Sequence, residues 1–259
     1  MTTLTAISLP RIARLGRFNA LLMLRNRLAM VYGLVLPLAP LALLFVGDRG
    51  DGGIGVSAVI TTLSFAMLFP VYYNLLSQFV TRRDELVLKR LRTGETRDLE
   101  LLGAMALPGV AIALVVAAVA VPVAMTLGQP WPLNIVVYAV TVLLACALFV
   151  AFAFWTAAWT RNAEAAQLTS MPVILLAVVG QMGAAFPDEI RRWVDLTPGA
   201  AMMDLVRVGW FGFGDDGTER TLDFAETWVA AGQPLLVMVG WTALAVWLAT
   251  RSMQWEPRT

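Results

Sequence analysis

The chain has 259 residues, of which 59% are hydrophobic and 14% are charged, and its formal net charge is +1. Soluble domains carry about 25% charged residues, and a soluble core of this size could not bury so much apolar surface. The composition therefore predicts a polytopic integral membrane protein and excludes an ordinary soluble domain. So small a net charge indicates no basic face, and nucleic acid is not an expected partner.

The rarest residue types exclude several kinds of active site. The chain has no histidine, which removes histidine-dependent nucleophilic catalysis, HExxH zinc sites and histidine proton relays. The single cysteine, Cys146, lies in an apolar run, cannot form an internal disulfide and is interpreted as a small core residue. The single lysine, Lys89, follows Leu88, so the GxxxxGK[ST] loop that cradles ATP phosphates is absent. We expect the chain to bind no cofactor itself and not to be an enzyme.

Residues 1–27 are polar and basic and contain no acidic residue. Their arginines are Arg11, Arg14, Arg17, Arg25 and Arg27. The first three share one side of a helix, with Ile12 and Leu15 on another, which favours an interfacial helix lying under the lipid headgroups. The alternative is a disordered positive arm that only sets topology. No small-residue cleavage site follows the first apolar run, so a cleaved signal peptide is not expected.

Six apolar stretches approach the length of about 20 residues that a membrane-spanning helix needs. They cover residues 28–46, 54–80, 101–127, 133–159, 167–186 and 230–251. The prolines inside these stretches are interpreted as kinks, which neighbouring helices make tolerable. Strand periodicity is weak throughout the chain. The sequence therefore predicts an all-α integral membrane fold with six transmembrane helices in one domain, residues 1–259.

The distribution of charge predicts the orientation of these helices. Fourteen of the nineteen basic residues fall in the segments 1–27, 81–100, 160–166 and 251–259, whereas eleven of the eighteen acidic residues fall in 47–53, 128–132 and 187–229. Basic residues collect on the cytoplasmic side of membrane proteins. We therefore expect a multi-pass protein of the cell membrane with both termini in the cytoplasm.

The longest connection, residues 187–229, mixes apolar and charged residues. This mixture favours short re-entrant helices that dip into the outer leaflet before the last span, followed by a turn rich in glycine and aspartate. The alternative is an ordinary extracellular loop with a few buried aromatic residues. Asp204 and Arg207 stand three positions apart on one of these helices, where opposite charges near lipid are expected to pair.

The spans themselves are almost free of charge, and residues 101–127 and 133–159 contain no Asp, Glu, Lys or Arg. Ion-coupled and proton-coupled transporters normally carry ionisable residues inside the membrane. The same absence argues against an intramembrane protease. A water-filled channel should show polar residues at helical spacing in several spans, and this pattern is not seen. The energy for any transport must therefore come from elsewhere.

The most charged segment, residues 81–100, joins the second and third spans, and we call it the coupling segment. Glu85 and Lys89 are four residues apart, which favours a helix, and Gly94 is placed to end it. We interpret this helix as a docking element for a cytoplasmic partner; the alternative is a solvated loop that only supplies positive charge. The predicted docking residues are Arg83, Asp84, Glu85, Leu88, Lys89, Leu91 and Arg92.

These residues also carry a family resemblance. The run from Arg83 to Gly94 resembles the R-E-x-G-T-L-x-x-L-x-x-[TS]-P segment of ABC-2 type transporter permeases, and is especially similar to short actinobacterial permeases related to the daunorubicin-resistance exporter. Met23 to Arg27 also fits that family. So do, before the last span, Phe186-Pro187, Trp193, Thr197-Pro198 and Asp204-x-x-Arg207. Two positions depart from it: Leu86 stands where the family often has glycine, and Glu95 where proline is common.

The resemblance implies the membrane subunit of an ABC exporter. Such permeases dimerise, as homodimers or heterodimers, and pair with cytoplasmic ATP-binding subunits that hold the ATP and Mg. The N-terminal helix, with Arg11, Arg14 and Arg17, and the coupling segment would grip those subunits, and the cargo would be hydrophobic or amphipathic. Membrane lipid is the other expected partner. A membrane assembly factor and an energy-independent channel or facilitator are the alternatives.

Overall fold

The computed structural model describes residues 9–25, 27–46, 50–87, 97–214, 217 and 219–253. Within these ranges the chain folds into helices and turns and contains no β-strand. Phe213 and Arg220 form an isolated antiparallel β-bridge. The predicted all-α class is therefore confirmed.

We number ten helices in the described part of the chain. They are α1 Leu9–Arg25, α2 Val31–Phe45, α3 Gly52–Asp84, α4 Asp98–Thr126, α5 Ile135–Trp159, α6 Ala165–Gly183, α7 Asp188–Val194, α8 Pro198–Val206, α9 Phe224–Ala230 and α10 Gly232–Ser252. Among the described residues, α3 to α6 and α10 are long and apolar enough to cross a membrane. The stretch predicted as the first span forms α2, a shorter apolar helix preceded by a helical turn, Arg27–Met30.

Prolines explain the irregular helices. Proline has no backbone N–H, so it interrupts the hydrogen-bond ladder of an α-helix. The helix α2 contains Pro37 and Pro40 and changes from π-helix at Val31–Val35 to 3-10 helix at Ala39–Phe45. The helix α3 contains Pro70 inside a π-helical stretch, Met67–Tyr73. These kinks are the consequence expected for prolines within spans.

Polar side chains fix where two of the spans begin. The Asp51 carboxylate accepts a hydrogen bond from the Ile54 N–H at 3.0 Å, before α3. The Asn134 side chain accepts one from the Val137 N–H at 3.1 Å, before α5. Such caps satisfy backbone donors that have no partner within the helix.

The helix α5 packs most closely against α10 and α3. Phe149 and Phe152 on α5 are buried, and Phe149 meets Tyr72 of α3 edge to face at 6.4 Å between ring centroids. The Tyr72 hydroxyl donates a hydrogen bond to the Thr156 hydroxyl of α5 at 3.1 Å. By contrast, α6 and α10 expose most of their apolar surface, as helices facing lipid or another subunit would.

The predicted connections gather at two opposite ends of the bundle. The described part of the coupling segment, residues 81–87 and 97–100, lies with α1 and the α5–α6 connection at one end, which we call the basic end. At the other, the acidic end, the Gln129 side chain donates to the Asp51 carbonyl at 3.4 Å, and the Trp210 indole N–H donates to the Pro130 carbonyl at 3.0 Å. The three segments predicted outside are thus in mutual contact.

Candidate functional site

The basic end is organised by two adjacent arginines on the last turn of α3. The Arg82 guanidinium donates to the Asn19 side-chain oxygen of α1 at 2.9 Å, and the Asn19 amide donates to the Ala104 carbonyl of α4 at 2.9 Å. The Arg83 guanidinium turns the other way and donates to the carbonyls of Ala157 and Thr160 beside the end of α5. Arg82 therefore joins α3 to α1 and α4, whereas Arg83 joins α3 to α5.

Arg83 is fully buried, with an exposed fraction of 0%. Besides its two shorter bonds, its guanidinium donates to the Arg161 carbonyl at 3.1 Å, and its Nε lies 3.7 Å from the Asp84 carboxylate. A cation at a helix C-terminus satisfies carbonyls that have no partner within the helix and complements the helix dipole. In this conformation Arg83, although predicted as a docking residue, holds the bundle together and presents no surface to a partner.

The chain leaves α3 through an exposed turn that carries two other predicted docking residues. Asp84 and Glu85 are exposed and end the helix. Leu86 follows in a left-handed conformation, with φ +58°, and its N–H donates to the Arg83 carbonyl at 3.0 Å. A left-handed backbone favours glycine, which accounts for the glycine that the resembling family often has here. Leu88, Lys89, Leu91 and Arg92 lie outside the described residues.

The N-terminal helix α1 lies against the beginning of α4. Its Gly16 faces Leu107 so closely that a Cβ would collide with the leucine side chain, and Gly103 of α4 faces Ile12. Arg14 and Arg17 point away from this contact and are exposed, together with Phe18. The side chain of Arg11 lies outside the described part of the helix. The basic face predicted for α1 is therefore open at Arg14 and Arg17, while another face anchors the helix.

A cavity of about 680 Å³ opens between α2, α3 and α6. We call it the amphipathic cavity, because its polar and apolar walls are separated along the helices. Its lining residues are Tyr32, Gly33, Phe65, Leu68, Phe69, Pro70, Tyr73, Asn74, Ser77, Gln167, Ser170, Ile174 and Val178. Asn74 and Ser77 of α3, with Gln167 and Ser170 of α6, lie toward the basic end. Phe65, Leu68 and Val178 lie toward the acidic end.

Sequence reasoning missed the polar residues of this cavity. Asn74 and Ser77 stand three positions apart, as do Gln167 and Ser170. Residues at this spacing share a helix face, so the expectation that the spans carry no polar residues at helical spacing was wrong at this end of α3 and α6. The signal was present in the sequence, but it occupies only one turn of each helix.

A second cavity, of about 610 Å³, lies at the acidic end and holds the predicted pair Asp204 and Arg207. Arg191, Asp195 and Glu226 share its lining. The Arg207 guanidinium also donates to the Gly217 carbonyl at 2.9 Å. The helix α8 and the π-helical turn that follows it, Arg207–Phe211, are buried through residues such as Leu205 and Trp210. Where it is described, the connection of residues 187–229 is thus a packed helical unit with charged residues collected on one side.

No group of three or more His, Cys, Asp or Glu side chains that could hold a metal ion occurs among the described residues. Cys146 is buried, and its Sγ lies 3.8 Å from the Met67 sulfur, in keeping with a core residue.

Comparison with known proteins identifies a family that the chain matches. A family model described as ABC-2 type transporter matches residues 11–211, from α1 to the end of the π-helical turn that follows α8. A search of curated proteins finds no significant match.

Proposed function

The chain belongs to the ABC-2 type transporter family, and from this membership we propose that it is the membrane-spanning permease subunit of an ATP-binding cassette exporter. The observation that carries the proposal is the extent of the match, because residues 11–211 include α1, the coupling segment and every helix that lines the amphipathic cavity. The ATP would be hydrolysed by a separate cytoplasmic subunit, since this sequence has no GxxxxGK[ST] loop.

The basic end supports a docking role. Arg14 and Arg17 of α1, with Asp84 and Glu85 of the coupling segment, are exposed at the same end of the bundle. Charges around the rim of an interface set orientation and encounter rate more than affinity. The positive-inside rule assigns this end to the cytoplasm, where an ATP-binding subunit would meet it. Both termini would then be cytoplasmic in a multi-pass protein of the cell membrane.

The amphipathic cavity supports an amphipathic or hydrophobic cargo. Its apolar wall, with Phe65 and Val178, would hold an aliphatic or aromatic body, and its polar wall, with Asn74 and Gln167, would hydrogen-bond a head group. Among the described residues no Asp, Glu, Lys or Arg lines the cavity, so its chemistry fits an uncharged polar head better than an ion. A second permease subunit would cover the exposed faces of α2 and α6 on either side of the opening.

The decisive experiment is co-purification of the permease with an ATP-binding cassette protein, followed by ATP hydrolysis in liposomes. We expect an ATPase to co-purify, and a panel of lipids and hydrophobic natural products to contain compounds that stimulate hydrolysis. The permease alone should bind no ATP. Saturable ATP binding by the isolated chain, or the lack of any co-purifying ATPase, would refute the proposal.

A matched pair of variants tests the docking site itself. Leu88→Ala with Leu91→Ala removes the predicted apolar anchors of the coupling segment, and truncating a buried anchor costs about 2 kcal/mol or more of binding free energy. This variant should release the ATPase while the permease still inserts. Leu196→Ala with Leu236→Ala, which truncates two leucines that are exposed elsewhere, should retain it. Equal retention by both variants would contradict the docking assignment.

A further inference from the structure

The contacts of Arg83 continue beyond α5 through a pair of threonine hydroxyls. The Thr160 carbonyl accepts from Arg83, and the Thr160 hydroxyl oxygen lies 2.7 Å from the Thr156 carbonyl oxygen. The same hydroxyl lies 2.8 Å from the hydroxyl of Thr169, on the first turn of α6. Thr160 is fully buried. A continuous set of polar contacts therefore runs from the end of α3, past the end of α5, to the beginning of α6.

The end of this set of contacts touches the amphipathic cavity. Ser170, which follows Thr169, and Gln167, two residues before it, both line the cavity wall on α6. The Thr169 hydroxyl oxygen also lies 3.0 Å from the Ala165 carbonyl oxygen, one turn back on its own helix. Because each hydroxyl has a single hydrogen, one threonine donates to the other, which in turn donates to the carbonyl of its own helix. A displacement of Thr169 would therefore move the polar wall of the cavity.

We propose that Arg83 is a positioning residue for transport, which ties the coupling segment to the cavity wall on α6 through the contact between Thr160 and Thr169. The inference rests on the proposed function. Movement of the coupling segment by the ATP-binding subunit pulls the carbonyls beside the end of α5, and the hydroxyl pair passes that movement to the first turn of α6. Arg82, which bonds to Asn19 instead, does not belong to this connection.

The physical reason is rigidity. A buried guanidinium with several carbonyl acceptors has one low-energy arrangement, because moving it alone would leave a charge without partners in a low-dielectric environment. The neighbouring helix ends must therefore move with it. Lysine, which has a compact ammonium instead of a planar fork, cannot hold three carbonyls in the same geometry.

The test is hydrogen–deuterium exchange on the full permease in complex with its ATP-binding subunit. Exchange of residues 160–170 is compared between the nucleotide-free complex and the complex trapped with ATP and vanadate. In the wild type we expect exchange in this segment to differ between the two states. Thr169→Val keeps the shape of the side chain but removes the hydroxyl, and should reduce that difference by about half or more, the order of effect expected for a residue that carries coupling.

Three further variants make the result specific. Thr169→Ser keeps the hydroxyl and should behave as the wild type, and Arg82→Gln should leave the exchange difference in residues 160–170 unchanged. Arg83→Lys should reduce the difference as Thr169→Val does, and combining the two should reduce it no further. If Arg83→Lys yields no complex, the Thr169→Val and Thr169→Ser pair decides the question alone.

The outcomes separate this inference from the function beneath it. An unchanged difference in Thr169→Val, or no difference in the wild type, overturns the role of Arg83 while leaving the permease assignment intact. A wild-type chain that captures no ATP-binding subunit refutes the proposed function before any exchange is measured, and this inference with it.

Discussion

The helices α3 and α4 approach each other closely at Gly109, and this contact predicts that a larger residue there lowers the stability of the fold. Gly109 of α4 lies against the backbone of Pro70 in α3, and a Cβ at Gly109 would collide with the Pro70 carbonyl oxygen. Because the obstacle is backbone, it cannot rotate away. Overpacking of this kind costs about 1–3 kcal/mol, and the upper end applies here. Alanine recovers about 1 kcal/mol of helix propensity relative to glycine, so Gly109→Ala should destabilise the fold by about 2 kcal/mol.

Gly240 provides the matched control, because a Cβ there meets no atom within 4 Å. Gly240→Ala should therefore gain the helix propensity of about 1 kcal/mol without a steric penalty. The assay is thermal unfolding of the purified protein, followed by tryptophan fluorescence. At about 2–4 °C per kcal/mol for a chain of this size, Tm should fall for Gly109→Ala and rise slightly for Gly240→Ala. An unchanged or raised Tm for Gly109→Ala would refute the close-contact argument.

Three other predictions test the two ends of the bundle. Leu86→Gly should keep the coupling function and slightly raise Tm, since the left-handed strain of about 1–2 kcal/mol exceeds the entropy cost of glycine, about 0.5–1 kcal/mol; a lower Tm would contradict this. Asp204→Ala or Arg207→Ala alone should lower the folding yield more than the double change does, because the remaining charge would lose its partner at this partly exposed site; additive losses would indicate independent charges. A reporter fused near Gly217 should report the outside, and a cytoplasmic signal would overturn the orientation.

Much of the fold follows from the apolar stretches of the sequence and from the polar residues and prolines that begin or interrupt its helices. The stretches predicted at 101–127 and 133–159 correspond closely to α4 and α5, because an uninterrupted apolar run has one low-energy arrangement in lipid, a helix. Asp51 and Asn134, which cap two helices, sit directly before apolar runs in the sequence. The α2 region differs more, since Pro37 and Pro40 tighten and break the regular ladder there.

The role of Arg83 could not be predicted, and the reason is physical. Arg82 and Arg83 are identical side chains on consecutive residues, about 100° apart around the helix axis. Local sequence shows that they point in different directions, but only the tertiary packing decides which direction meets the end of α5. Arginine in a charged segment is generally expected to be solvated. On that expectation Arg83 was predicted to lie on a docking surface, although it is buried.

Arg82 and Arg83 contact different helices, and this difference explains how one short segment could move several helices of the bundle. Residues 101–127 and 133–159 contain no charged residue. These two spans therefore offer a partner outside the membrane no charged side chain to bind. Each arginine supplies a connection at the bundle's end: Arg82 reaches α1 and α4 through Asn19, and Arg83 reaches α5 directly. Because both start from the last turn of α3, a rotation of that turn would move the two sets of helices in different directions. In a permease driven by an external ATPase, the movement that Arg83 passes to the end of α5 and the beginning of α6 is what would displace the polar wall of the amphipathic cavity.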